Sequence, residues 1–250
     1  MEKRKKEKVK SKEKGKRENT MENVVYYPDK EKFIELAKEG NVIPVYREIL
    51  ADLGTPLSAF LKIDRSEFSY LLESIEGGEH MARYSFLGSD PSLVIESRGA
   101  EITKRHRGEE AETYTATEDP ISEIKKIMDR FRFVPVEGLP RFCGGLVGYM
   151  GYDMVRFIED IPDGNPSDLD IPDMQLLLTD TILIFDHADH KIKVVSNALV
   201  RNNPGKAYDN ACKKIDSIVE DLKSPGTDPD IPKSDVTTDF VSNFSKSEFY

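Results

Sequence analysis

From residue 28 onward the apolar positions of this chain fall into helix-like and strand-like runs. In PDKEKFIELAKEG (28–40), Phe33, Leu36 and Ala37 make one stripe, with Asp29 at the N-cap position and Gly40 at the stop, which predicts a short helix. NVIPVYREI (41–49) and PLSAFLKI (56–63) alternate or run apolar in strand fashion on either side of the turn-rich ADLGTP. Residues 69–73, 84–87 and 92–97 predict three more strands, and AEITKRHRGEE (100–110) an exposed hairpin arm with its turn. DPISEIKKIMDRFR (119–132) has strong helix signals. Asp119 is at the N-cap, Pro120 at the first helical position, and Ile121, Ile124, Met128 and Phe131 lie on one face.

FCGGLVGYMGYDMVRF (142–157) reads as a glycine-spaced apolar strand, and the Pro- and Asp-rich stretch 158–173 as irregular loop. QLLLTDTILIF (175–185) and KIKVVSNALV (191–200) predict two strong strands joined through DHADH as a hairpin. A last long helix starts at Pro204, with Ala207, Tyr208, Ala211, Cys212, Ile215, Ile218, Val219 and Leu222 at helical spacing. KSPGTDPDIPKSD (223–235) is linker-like. At 241–250, Asn243 or Ser245 stands as a fresh helix cap, which predicts a further unit beyond it. Strands arriving in groups between helices point to an α+β fold, with a largely antiparallel sheet and helices packed on it.

Composition narrows the picture. A chain of 250 residues, 38% hydrophobic and 33% charged, has the makings of a globular protein with a substantial core. No apolar run approaches the roughly 18 residues of a membrane span, and the charged N-terminus holds no secretory apolar segment. Cys143 and Cys212 lie far apart, as expected for free thiols in a reducing compartment, so a cytoplasmic location is expected. The net charge of −10 conceals a split. Residues 1–20 hold ten Lys or Arg against four Glu, a head of +6 before a body of −16. Such a body disfavours nucleic-acid binding, and the head reads as a solvated basic tail. Met21 opens the first globular-looking sequence and is a candidate natural start.

Familiar catalytic constellations are hard to find. His187 and His190 share the expected hairpin turn at a spacing too short for a helical metal pair, and no cysteine is nearby in sequence. Gly144, Gly145 and Gly148 match neither phosphate-loop pattern, and their plain reading is close backbone packing. Cys143 has no obvious histidine partner. Asp153 and Arg156 read as a structural ion pair at a strand end.

The least ordinary stretch is LLESIEGGEHMARYSFLG (71–88). A strand-like run ends in a carboxylate and a hydroxyl, Glu73 and Ser74; a Gly77-Gly78 turn follows, then Arg83-Tyr84-Ser85 leads into a second apolar run. A carboxylate is the natural partner of an α-ammonium group, and a hydroxyl beside it can serve either end of an amino acid. In a regular strand the two side chains point to opposite faces, so they share a ligand only where the strand bends. From these residues an amino-acid pocket and an ordinary strand-turn-strand both remain open.

LLESIEGGEHMARYSFLG with Asp90-Pro91 after it, then FCGGLVGYMGYDMVRFIEDIP, then LDIPDMQLLLTDTILIFDH resemble, in order and spacing, three signatures of anthranilate synthase component I. The likeness runs over about residues 25–250. Aminodeoxychorismate synthase component I shares the turn and the glycine strand, but the wording LVGYMGYDMVRF is closer to the anthranilate enzyme. The resemblance implies a two-layer sandwich of that family's type, with residues 1–20 as tail, 21–222 as its N-terminal domain, and 223–250 as linker and opening of a chorismate-binding domain whose C-terminal half is missing. It implies a role in making anthranilate and pyruvate from chorismate and ammonia, with a glutaminase subunit (component II) as partner. Mg²⁺ is the implied cofactor, its ligands and the catalytic residues expected in the missing half, so no catalytic residue is assigned and this chain alone is expected to be inactive. The family's pair for the feedback inhibitor L-tryptophan falls on Glu73 and Ser74. A stand-alone tryptophan-binding module is the other reading.

Overall fold

The computed structural model describes residues 24–51, 54–73, 83–162 and 169–224, together with 245 and 247. Among them the helices are α1 (Lys30–Leu36), α2 (Pro56–Ile63), α3 (Pro120–Met128) and α4 (Pro204–Lys223). The strands are β1 (Val42–Leu50), β2 (Ser69–Glu73), β3 (Tyr84–Ser89), β4 (Leu93–Arg98), β5 (Glu101–His106), β6 (Glu112–Thr115), β7 (Gly145–Met150), β8 (Met174–Thr179), β9 (Thr181–Asp186) and β10 (Lys191–Leu199). Two five-stranded sheets form, in the orders β1-β10-β9-β3-β2 and β6-β5-β4-β8-β7. Every strand pair is antiparallel. The class is the expected one: α+β, with antiparallel sheet and helices packed on it.

Two helices begin at the caps that the sequence marks, Asp29 and Asp119, and the structure adds Asn203. The side chains of Asp29, Asp119 and Asn203 accept hydrogen bonds from the backbone N–H groups of Lys32, Ser122 and Lys206, each satisfying a donor that the first helical turn leaves unpaired. Three expectations need correction. PLSAFLKI is not a strand but α2. Thr55 accepts from the Ser58 N–H and Pro56 takes the first turn, and the buried positions Pro56, Ala59 and Ile63 recur at helical spacing. A short apolar run is compatible with either state, and here the cap decides it. QLLLTDTILIF is not one strand but two, because β8 and β9 break at Asp180 into different sheets. FCGGLVGYMGYDMVRF gives β7 and then a 3-10 helix, Tyr152–Phe157, so the Asp153–Arg156 pair at 2.9 Å spans one helical turn rather than a strand end. Strand β6 went unforeseen, its four residues being too few to show a period.

The break at Asp180 organises the molecule. Strands β3 and β4 run through Asp90, and β9 and β8 through Asp180, each pair passing from the first sheet to the second. Asp90 takes a positive φ of 52° at this corner. Arg107, in the turn after β5, binds both corners. It lies 2.9 Å from the Asp90 carboxylate and 2.8 Å from that of Asp180, and donates to the Asp90 carbonyl. Lys214 of α4 reaches Asp180 at 2.5 Å. Burial raises the Asp180 carboxyl pKa, but the two cations outweigh it and hold the group below the usual carboxylate range.

Alternation along the strands sets the cores. Ile43, Val45, Leu87, Leu183, Phe185 and Val194 face α1, α2 and α4, where Phe33, Ala59 and Ile215 meet them. The opposite face of that sheet packs Tyr46, Ile182, Ile184 and Val195 under the segment carrying Phe142 and Cys143. In the second sheet Leu93, Ile95, Ile102, Met174 and Leu176 face Ile124 and Ile127 of α3 and Met154. Of the two glycines in β7, Gly148 is a spacer as read, while Gly145 has open space where a Cβ would stand. A Cβ on Gly148 would fall 1.9 Å from the Gln175 carbonyl oxygen, in a backbone with φ +154° that side chains rarely adopt.

Candidate functional site

Strand β2 is the edge strand of the first sheet and ends at Glu73, which is exposed. Ser74 and the Gly77-Gly78 turn lie outside the described residues, as do the basic head and Met21 at one end of the chain and most of 225–250 at the other. The register places Glu73 directly opposite Ser85 of β3, and Ser85 opposite Phe185 of β9. Side chains directly opposite one another share a face, so Glu73, Ser85 and Phe185 form one row at the end of the helix-covered side.

The row continues into the β9–β10 turn. Ser85 is fully buried, and its Oγ lies 2.8 Å from His187 Nε2. The His187 ring stacks on Phe185 with centroids 6.3 Å apart. Next to it Arg83 makes a bidentate contact with Asp186, Nε to Oδ1 at 3.0 Å and Nη2 to Oδ2 at 2.9 Å. Its guanidinium also lies over the Tyr84 ring at 5.0 Å. Burial raises the Asp186 carboxyl pKa, but the Arg83 guanidinium overrides that and holds it low. Tyr84 and Asp186 alternate to the opposite face from that row, and the Arg83 guanidinium is committed there to Asp186. On the helix-covered side this end of the sheet therefore offers the exposed Glu73 carboxylate, which can receive an ammonium.

Sequence reasoning found Glu73 and the Arg83-Tyr84-Ser85 step but missed His187 and Asp186. They are about a hundred positions away, and only strand pairing brings them here. The other singled-out residues are accounted for structurally. Cys143 is buried and its thiol pushed up to about 11 by that burial, the reverse of an activated nucleophile. His190 holds the turn with φ +51°. Gly144 lies against Asn197, whose Nδ2 donates to the Cys143 carbonyl at 2.8 Å. No group of three or more His, Cys, Asp or Glu side chains among the described residues converges to hold a metal ion, so none of them fits the expected magnesium. Among them, too, no helix is long and apolar enough to cross a membrane.

Residues 67–249 match the chorismate binding enzyme family, and the chain belongs to that family. Among individual relatives, it is 40% identical to anthranilate synthase component 1 of Aquifex aeolicus over 220 residues, covering 86% of this chain and 44% of that protein. It is 38% identical over 199 residues to the enzyme of the same name from Acetivibrio thermocellus, covering 79% and 40%. A solved structure of anthranilate synthase component I from Streptococcus pneumoniae aligns with a TM-score of 0.48 at 24% identity, over 71% of this chain and 37% of that one. The chain thus spans well under half the length of the curated relatives it matches.

Proposed function

We propose that this chain is the N-terminal regulatory and structural part of an anthranilate synthase component I. That enzyme uses chorismate and glutamine-derived ammonia to make anthranilate and pyruvate, the first step toward tryptophan. The observation that carries the reading is the 40% identity to a protein of that name over 86% of the chain. In this reading the chain works in the cytoplasm with a glutaminase subunit. The catalytic groups and the Mg²⁺ ligands belong to the part of the enzyme that follows, and these 250 residues alone do not turn over chorismate.

L-tryptophan is the inhibitor, and Glu73 with Ser74 forms the core of its site. What supports this is position. Glu73 is an exposed carboxylate at the end of an edge strand, and Ser74 follows it in the chain. The Glu73 carboxylate receives the α-ammonium, while the Ser74 hydroxyl serves the carboxylate end. Neither group performs chemistry; both bind and orient the effector.

A thermal melt of the full chain with and without L-tryptophan tests the proposal. At about a hundred times its dissociation constant the ligand adds roughly 2.7 kcal/mol of stability, so the wild-type midpoint rises. Glu73→Gln and Ser74→Ala melt at the wild-type temperature without ligand but lose that rise. A wild-type midpoint that ignores tryptophan, or variants that respond equally, would remove these residues from an effector site.

A further inference from the structure

We propose a second small-molecule site, for an organic anion with an apolar ring, in the cleft between α3, the second sheet and the β1–β10 end of the first. The cleft measures about 570 Å³, within the range of small-ligand pockets. Its apolar floor comes from Leu93, Leu178, Ile127 and Phe131, with Phe133 exposed at the mouth. Leu93 and Leu178 share the face of the second sheet that α3 covers, so the floor is the uncapped end of that core.

Charge around the cleft is one-sided. Lys104, Arg130 and Arg201 line it, with His106 beside Lys104 on the same strand face, against the single carboxylate of Glu112. Among the described residues none of these three cations is in an ion pair, although Lys104 lies 4.3 Å above the Tyr114 ring. Among the other described residues most Lys and Arg side chains are spent on carboxylates, as at Arg83, Arg107 and Lys193. Three uncommitted cations over an apolar floor, in a chain of net charge −10, form a local field that concentrates anions.

A polar group at the base adds direction. Asn197 lines the cleft and is nine-tenths buried, its Oδ1 the one buried side-chain polar atom without a partner among the described residues. Its orientation is fixed. Nδ2 donates to the Cys143 carbonyl at 2.8 Å, and a flipped amide would set two acceptors against each other. Oδ1 therefore calls for a donor. A ring bearing a hydroxyl or amine, its acid group held by Lys104 and Arg201, supplies one. The site is remote in sequence and strand position from Glu73, so it stands or falls independently of the tryptophan proposal.

Phenyl phosphate and benzoate are the probes, with benzylamine and benzyl alcohol as cationic and neutral counterparts, all added to the full chain. Saturation-transfer NMR of the probes reads binding. Both anions, or one of them, bind at about 1 mM while benzylamine does not, and the preferred anion tells phosphate from carboxylate ligands. The double variant K104Q/R201Q weakens binding at least about tenfold. R130Q, on a separate element, gives a smaller loss, and it carries the test should the double variant melt abnormally. E73Q leaves anion binding unchanged. Equal binding of benzylamine, anion affinity undiminished in the cation variants, or no anion binding at about 1 mM would each overturn the proposal.

Discussion

The two sheets share strand number and antiparallel pairing, but they are finished differently. The first has α1, α2 and α4 over one face and the Phe142–Cys143 segment over the other, so both of its faces bury side chains. The second has α3 and Met154 over one face, and on its other face Val94, Leu177 and Val147 are buried. Its edge strand β7 and the residues after it leave Tyr149, Met150, Tyr152 and Ile158 exposed, Tyr152 to 84%. Burial of apolar area is the main stabilising term, so the first sheet with its helices is the stable body and the second depends more on the corner. The difference also explains where ligands find room. The proposed effector end lies at the open edge of the complete sheet, and the proposed anion cleft where the cover of the second sheet stops.

Matched truncations in the two cores give the largest expected effect. Ile215→Ala, in α4 and fully buried, should cost about 3–4 kcal/mol, and Ile127→Ala, in α3, about 2–3 kcal/mol. Chemical denaturation monitored by circular dichroism measures both. If Ile127→Ala costs more than Ile215→Ala, the ranking of the two halves is reversed. A smaller effect is expected at the joint. Arg107→Met leaves Asp180 with Lys214 as its remaining cation. The arginine is partly exposed, so about 1–2 kcal/mol is expected. Hydrogen exchange should accelerate in β4, β5 and β8 before it does in β10.

The smallest effect is in pH. The folded Asp180 carboxyl lies below its unfolded value, which is about 3.9. Its contribution is therefore fully present above that value and lost as the pH falls through the lower, folded pKa. Asp186 behaves in the same sense through Arg83. Wild-type stability should decline on acidification below about pH 4, and Arg107→Met should decline less steeply, since it has less of this pairing to lose. Parallel pH profiles for the two proteins would separate the corner network from the acid response.

Much of the local structure was legible in the chain. Asp29 and Asp119 cap the helices they precede, and KIKVVSNALV forms β10, an interior strand of the first sheet. Two readings failed for a common reason. PLSAFLKI and QLLLTDTILIF are short and mostly apolar, and such a run carries too little period to separate helix from strand or one strand from two. Thr55 and Pro56 resolved the first case, and only the turn of the sheet at Asp180 resolved the second.

For the site, the sequence by itself determined that an apolar strand runs out at the carboxylate of Glu73, with Ser74 next in the chain, and that the segments around them carry a family's wording. It also set the charge balance and the Gly148 spacer of β7. Tertiary structure alone decided what faces those residues. Ser85 meets His187, Arg83 meets Asp186, and Lys104, Arg130 and Arg201 gather round one cleft because antiparallel pairing and the corner bring together positions up to a hundred residues apart. Local preferences act over a few residues and are written in neighbouring letters. The register of distant strands is settled by which faces can be buried together, and no short window of sequence holds that information.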